Sequence, residues 1–466
     1  MVSPENRAMP LRKQLLGFLI LAIGLAGCGV LEAPVHPPVP TPVATAVPWN
    51  GVELSPGEVV LDPVSDVVPE VDPQIANLLA SVSQQQLMGY VQTMQSFGNR
   101  NVFSVTDDPA FGIGATRQWL VDEFTRVGNG RLHVTTQEFP LFYNGLATTP
   151  YNVVATLPGD AGSDDLIVVM AHYDNRAPEP TDGETYAPGA NDNGSGIALL
   201  LESARLLSAY EWHQTIVFLA AAAEEQGTYG ARHFVQTAFL DGKNIIAAIN
   251  YDAVGGRPGI PQYARLFAPN LRESPSGELA RYYEYIAGLY VPAFPVQVID
   301  ALDREGRWGD HREFVNAGMP GIRIIESVED PDMVNSRTDT WDRIDYNYLQ
   351  QMVQMNLAVV ANMAGAPPTP QTPIIQALDS PGDFWLRWPT DPNAAGYAIS
   401  FRPLVAGSFT TFHFVRANQA GNVALTGLDP TVTYAVSMTA LDENGRLGDF
   451  TPEVIIPPTQ SAAQAP

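Results

Sequence analysis

Short apolar runs alternate with helix-period patterns along the middle of the chain. Buried strands are predicted where β-branched and apolar residues follow one another, at 151–157, 166–170, 215–221 and 245–251. Helices are predicted where apolar residues recur three and four positions apart, at 72–98, 112–127, 194–208 and 227–239. Strands that alternate with helices in this way are typical of a mostly parallel sheet covered by helices on both faces.

The alternation continues as far as residue 363. A β-rich stretch at 132–142 precedes the first strand, and a helix at 276–289, strands at 296–299 and 322–325, and a closing helix at 345–363 follow the last. We therefore predict one α/β domain over residues 72–365, built on a mixed sheet with a mostly parallel centre.

Beyond a Pro-rich break at 366–370 the pattern becomes wholly β, with short apolar strands separated by turn residues. The string Leu428-x-Pro430-x-x-x-Tyr434, together with a strand tryptophan, resembles a fibronectin type III domain with Tyr434 as its corner tyrosine. We expect a sandwich of this kind over residues 371–458, with another type of β-sandwich as the alternative. Because such domains are common surface-binding spacers, contact with a surface or polysaccharide is left open.

The N-terminal residues have the pattern of a targeting segment. Positive charge at Arg12 and Lys13 precedes a short apolar run, and the ending Leu-Ala-Gly-Cys28 resembles a bacterial lipobox. The resemblance implies a signal peptide over 1–28, lipidation of Cys28 and an extracytoplasmic protein anchored to a bacterial membrane. An ordinary signal peptide with a chance cysteine is the alternative. The Pro-rich stretch at 29–71 predicts an extended spacer.

The charge of the chain excludes one class of partner. It has 466 residues, a formal net charge of -25 and only two lysines, Lys13 and Lys243. Such a surface repels nucleic acid and offers no basic stripe, so we expect no DNA or RNA partner. Since Cys28 is the only cysteine, no intramolecular disulfide can form.

Acidic and imidazole side chains stand where predicted strands meet their loops. They are His172 and Asp174, Asp192 at the start of the following helix, Glu224 and Glu225, Asp252, and His311. Parallel strands bring such ends to one edge of a sheet. Residues 168–196 taken alone also allow a structural interpretation, in which His172 orders a loop and Asp192 caps a helix.

Oxygen and nitrogen donors without cysteine favour zinc. Two ions can share one carboxylate and together activate a water. Of two adjacent glutamates, one can bind metal while the other takes the proton of that water.

The motifs, in this order, resemble the secreted bacterial di-zinc aminopeptidases of the leucyl aminopeptidase and aminopeptidase Y type, over about residues 75–365. They are His-x-Asp, Gly-x-x-Asp-Asn-x-Ser-Gly, Glu-Glu-x-Gly, Asp and Gly-Asp-His. The resemblance implies a phosphorylase/hydrolase-like core, peptide or protein substrates and two zinc ions per chain. It assigns His172, Asp192 and His311 to one zinc, and Asp192, Glu225 and Asp252 to the other. Glu224 would be the general base. Asp174 would form a hydrogen bond with His172.

The segment 335–342 resembles the final loop of that family, which usually carries a histidine before Asp-Thr. Here the segment begins with Asn335 and contains no histidine. Asp339 in this loop is expected either to support a metal ligand or to cap a helix or turn.

Three alternatives to an aminopeptidase remain. A glutaminyl cyclase resembles the same scaffold working with one zinc and predicts loss of part of the ligand set, whereas both expected zinc ions keep their residues in this sequence. A carboxypeptidase or dipeptidase needs a basic anchor for a terminal carboxylate, for which Arg176, Arg257 and Arg307 are candidates. A non-catalytic surface-binding protein would have kept the fold alone, and the intact Glu224 and Glu225 pair argues against it.

Overall fold

The structure, a computed structural model, describes residues 44–45, 59–61, 71–160, 165–406, 408 and 412–459. The predicted signal peptide and Cys28 lie outside the described residues. In the Pro-rich stretch, two short strands, β1 (Ala44–Thr45) and β2 (Val59–Leu61), are described. Among the described residues, no helix has the length and apolar character needed to cross a membrane.

The α/β region has an eight-stranded mixed sheet at its centre. The sheet is formed by β3 (His133–Glu138), β6 (Tyr151–Leu157), β7 (Asp165–His172), β8 (Thr215–Ala221), β9 (Asn244–Tyr251), β10 (Ala264–Ala268), β11 (Val296–Asp300) and β12 (Gly321–Glu326). Two short strands, β4 (Leu141–Tyr143) and β5 (Leu146–Thr148), form a separate hairpin. The strand order is β11-β10-β12-β9-β7-β8-β6-β3.

The four central strands β12, β9, β7 and β8 run parallel, whereas β6 and β3 add to one side in antiparallel pairing. On the other side, β10 pairs antiparallel with β12 and parallel with β11. The predicted α/β class with a parallel-centred mixed sheet is therefore confirmed. Because β7, β8 and β9 are parallel, their carboxyl ends meet at one edge of the sheet.

Helices cover both faces of this sheet. They are α1 (Pro73–Ala80), α2 (Gln84–Ser96), α3 (Gly112–Gly128), α4 (Gly196–Leu207), α5 (Tyr229–Leu240), α6 (Pro275–Tyr290), α7 (His311–Asn316) and α8 (Tyr346–Gly365). Alternate residues of β7 enter two different cores. Ile167 and Val169 pack in the core that includes α2, α4 and α8, while Val168 and Met170 pack with the apolar face of α5.

The single helix predicted over 72–98 is wrong, because the structure divides it into α1 and α2. The side chain of Ser83 accepts a hydrogen bond from the Gln86 N–H and caps the second helix. The Ser83 N–H donates to the buried Glu202 carboxylate at 2.9 Å. Apolar periodicity continues across the break and conceals it, since both helices pack on the same core.

The C-terminal region consists of two further sheets. Its strands are β13 (Ile374–Ala377), β14 (Phe384–Arg387), β15 (Gly396–Pro403), β16 (Phe412–Arg416), β17 (Asn422–Leu425), β18 (Tyr434–Leu441) and β19 (Val454–Ile456). One sheet has the order β13-β14-β17-β2 and the other β1-β19-β18-β15-β16. The Tyr434 hydroxyl accepts a hydrogen bond from the Asp429 N–H at 3.3 Å. The more specific likeness to a fibronectin type III domain stays a prediction.

Candidate metal centre

His172 is the last residue of β7 and its side chain is buried, with 1% exposed. Its Nδ1 lies 3.1 Å from the backbone carbonyl of Asp174. Because a carbonyl can only accept, Nδ1 carries a proton in this contact, which leaves Nε2 as the nitrogen that can bind a cation. Nε2 has no hydrogen-bond partner among the described residues. The tautomer is therefore the one that a metal ligand requires.

Two carboxylates face that nitrogen. Asp192 Oδ1 lies 3.3 Å from His172 Nε2, and Asp252 Oδ1 lies 3.6 Å from it. One donor atom of each of the three residues lies within 4.8 Å of the other two. One imidazole nitrogen and two carboxylate oxygens are a donor set suited to zinc. The buried, unpartnered Nε2 between two carboxylates fits a bound cation.

The electrostatics of the group also favour a cation. Burial by itself would lower the pKa of His172, but the surrounding carboxylates, Glu224 foremost, outweigh burial and raise that pKa well above its usual value. An imidazole nitrogen held among acidic groups thus attracts positive charge, whether a proton or a metal ion.

Asp192 lies in the segment that connects β7 to α4, and the loop at 335–342 holds it in place. The Asp339 carboxylate accepts hydrogen bonds from the Asn191 N–H at 2.7 Å and the Asp192 N–H at 2.9 Å. Gly196 allows α4 to begin close to the end of β9, since a Cβ atom there would lie 2.5 Å from the Tyr251 carbonyl oxygen. Asp339 therefore supports a candidate ligand, one of the two roles expected for it.

Asp252 follows β9 and is held by an arginine that the sequence analysis missed. Arg323 Nη2 lies 2.8 Å from Asp252 Oδ2, and Arg323 Nη1 lies 2.5 Å from Asp303 Oδ2. Burial would raise the pKa of Asp252, but Arg323 and His172 lower it below its usual range. The sequence signal for Arg323 is a charged residue inside the apolar, fully buried strand β12.

Asp174 contacts more than the histidine that the resemblance assigned to it. Its Oδ1 lies 3.7 Å from His172 Nδ1, and the backbone carbonyl makes the shorter contact. The carboxylate also accepts hydrogen bonds from the Glu224 N–H and the Glu225 N–H, each at 3.2 Å. Asp174 therefore fixes the loop that carries both glutamates. The predicted hydrogen bond between its carboxylate and His172 stays a prediction, and the two groups lie in ion-pair contact at 3.7 Å.

We expect Asp174→Asn to lower kcat by roughly 10- to 100-fold, because an amide cannot accept both N–H groups through two equivalent carboxylate oxygens. Steady-state kinetics would measure the loss, and zinc content should not change. Asp182→Asn is the matched control, since Asp182 Oδ1 also accepts hydrogen bonds from two backbone N–H groups but Asp182 does not belong to the group of metal donors. Equal losses in both variants would contradict this role for Asp174.

Glu224 lies beside the three donors without belonging to them. With Asp192 and Asp252 it lines a cavity of about 390 Å³. Burial raises the pKa of Glu224 well above its usual value; His172 opposes this shift, while Asp252 and Glu225 add to it. A buried carboxyl group whose proton affinity is raised in this way is suited to act as a general base and then as a general acid.

Asp310 is a second buried carboxyl group of this region that the sequence analysis did not select. Both of its carboxylate oxygens are buried and lack a hydrogen-bond partner among the described residues. Burial raises the pKa of Asp310 to about 8, with His172 opposing that shift.

The structure does not place His311 with the metal donors. His311 begins α7, and its Nε2 donates to the Leu302 carbonyl at 2.6 Å. Burial lowers the pKa of His311 to about 4, so the ring is neutral. The Gly-Asp-His motif predicts the position of the backbone, but the hydrogen bond to Leu302 in the preceding loop sets the orientation of the imidazole ring.

Glu225 is likewise not part of the three-residue group. Its Oε2 accepts from Arg176 Nε at 2.9 Å. Burial, with Asp192, raises the pKa of Glu225 to about 8, and Arg176 opposes that shift. The grouping of Asp252 with His172 also differs from the predicted division, which placed Asp252 with Glu225.

The chain is similar to known proteins in sequence and in fold. Residues 152–360 match the model of Peptidase family M28. The chain is 31% identical over 404 residues to a "Probable zinc metalloprotease" of Pyricularia oryzae, over 76% of this chain and 80% of that protein.

Among solved structures, the Legionella pneumophila LapA aminopeptidase has a TM-score of 0.50 and 19% identity, over 64% of this chain and 76% of that one. A leucine aminopeptidase precursor from Bacteroides thetaiotaomicron has a TM-score of 0.50 and 22% identity, over 60% of this chain and 97% of that one. These two likenesses concern the fold.

Proposed function

Because the chain belongs to peptidase family M28, whose members are zinc metallopeptidases, we propose that it is an aminopeptidase that removes N-terminal residues from peptides. The observation that carries this proposal is the position of Glu224 in one cavity with Asp192 and Asp252, beside the unpartnered His172 Nε2. A general base and a zinc donor set thus face the same small space.

His172, Asp192 and Asp252 would hold the zinc. When bound, zinc supplies a Lewis acid that polarises a peptide carbonyl and lowers the pKa of a water molecule. Glu224 takes the proton of the attacking water at its carboxylate and delivers it to the departing amine. The Asp174 carboxylate orients Glu224 through the backbone, and Arg323 holds Asp252 with Oδ1 directed at His172.

The charge of the cavity favours a free amino terminus. Eight acidic residues and four arginines line it. Three of these arginines are paired with carboxylates: Arg176 with Glu225, Arg304 with Asp303 and Glu329, and Arg323 with Asp252 and Asp303. The excess of acidic side chains over arginines favours binding of an α-ammonium group. A carboxypeptidase would need an available arginine. Arg176 and Arg257 both have acidic partners, whereas Arg307 lines the cavity and has no ion pair among the described residues, so a comparison of substrates decides between the two activities.

We expect free-amine aminoacyl p-nitroanilides to be hydrolysed and their N-acetylated forms to react roughly 100-fold more slowly or not at all, because acetylation removes the charge that the acidic cavity binds. Chelation should abolish turnover and zinc should restore it. Release of p-nitroaniline measures both effects. N-terminal glutaminyl peptides and C-terminally free dipeptides serve as comparison substrates, and turnover of only one of these classes would favour a cyclase or a carboxypeptidase instead.

A further inference from the structure

The Arg176 guanidinium occupies the space beside Glu225 and is fixed in three directions. Nε donates to Glu225 Oε2 at 2.9 Å, and Nη1 donates to the Pro178 carbonyl at 2.9 Å. With the Asn335 amide oriented to satisfy its neighbours, its oxygen accepts from Arg176 Nη2 at 2.9 Å and its nitrogen donates to Glu225 Oε1 at 3.2 Å. Both oxygens of Glu225 are therefore engaged by donors.

This arrangement differs from what a second zinc would require. A second ion on Glu225 would have to bind oxygens that already accept hydrogen bonds from Arg176 and Asn335. A guanidinium keeps its positive charge at all working pH values, so it repels a dication at the same position. Arg176 thus supplies part of the positive charge that a metal ion would otherwise place beside Glu225.

The chain also lacks the remaining ligand. No histidine lies between His311 and His413 in the sequence, so the loop that begins at Asn335 offers an amide where the resemblance expects an imidazole. The His311 Nε2 is bonded to a backbone carbonyl instead. Glu225 and Asp192 without a nitrogen donor are a poor zinc site.

We propose that the chain binds one zinc ion, on His172, Asp192 and Asp252, and that Arg176 with Asn335 takes the place of a second ion beside Glu225. The expectation of two zinc ions per chain is thereby replaced by one. One zinc is also the number that the glutaminyl cyclase alternative implies, so the substrate comparison, and not the zinc count, separates that activity from an aminopeptidase. The inference rests on the proposed function only in taking zinc as the metal, and it is tested by counting ions, not by measuring activity.

Native mass spectrometry of the full chain in excess zinc gives the count. We expect one zinc in the wild type and none in His172→Ala. The double variant Arg176→Ala with Asn335→His should bind two, because it frees Glu225 and adds an imidazole. Asn335 has φ 51°, a left-handed conformation that histidine adopts more readily than most residues.

Arg232→Ala is the matched control for the loss of an arginine. Arg232 Nε lies 3.2 Å from Glu313 Oε2, and the Arg232 side chain is 26% exposed, against 2.9 Å and 24% for Arg176 with Glu225. The control should still bind one ion.

Two ions in the wild type would overturn the inference, and this count does not depend on any variant folding. One ion in a folded double variant, judged by circular dichroism, would overturn the role of Arg176 and Asn335. One zinc in a wild type that hydrolyses no peptide would support the count and remove only the aminopeptidase proposal.

Discussion

Replacement of Glu224 by glutamine is expected to lower kcat by about 10²- to 10⁴-fold, the usual contribution of a positioned general base. Glutamine keeps the size of the side chain but cannot accept the proton of the attacking water. Because Glu224 is not one of the three residues that form the donor group, zinc content and KM should stay close to those of the wild type. Steady-state kinetics and elemental analysis of the same sample would measure both.

Glu305→Gln is the control for this change, since Glu305 is an exposed residue of the loop before α7. It should leave kcat unaltered. If Glu224→Gln kept kcat within about threefold of the wild type with zinc still bound, the base would lie elsewhere. Asp310, a buried carboxyl group whose oxygens have no hydrogen-bond partner among the described residues, would then be the next residue to test.

The sheet and its catalytic edge are predictable because their signals are local. The strands Tyr151–Leu157 and Thr215–Ala221 match their predicted limits, since continuous apolar β-branched runs are compatible only with burial on both faces. The parallel order then places His172 and Asp252 at one edge, as predicted.

Side-chain pairings between loops are not predictable in the same way. The contact between Arg176 and Asn335 joins two loops that are distant in the sequence and have no periodicity. The same holds for His311, whose ring direction follows from a hydrogen bond to Leu302 in the preceding loop. The local sequence determines where a strand ends. The direction of a loop side chain depends on its hydrogen-bond partner, which can be distant in the sequence.

The contact between the α/β region and the C-terminal sheets contains a buried charge cluster. Glu453 Oε1 accepts from Arg281 Nη2 and from Arg402 Nε, each at 3.0 Å, and Oε2 accepts from Arg402 Nη2 at 2.6 Å. Arg281 belongs to α6 and Arg402 to β15, so one carboxylate joins the two regions. The side chains of Arg281 and Arg402 are 1% and 0% exposed, and that of Glu453 is 7% exposed.

We expect Glu453→Gln to lower the free energy of unfolding by about 3–5 kcal/mol, because two buried guanidinium groups lose the negative charge that contacts both of them. Urea unfolding followed by circular dichroism would measure the change. Glu443→Gln, at an exposed glutamate between β18 and β19, should alter that free energy by less than about 0.5 kcal/mol. The Tyr282 hydroxyl of α6 also donates to the Leu447 carbonyl at 2.6 Å, so the variant should still unfold in one transition. A separate early transition of the C-terminal sheets, with peptidase activity kept, would show that Glu453 joins the two regions without stabilising the α/β core.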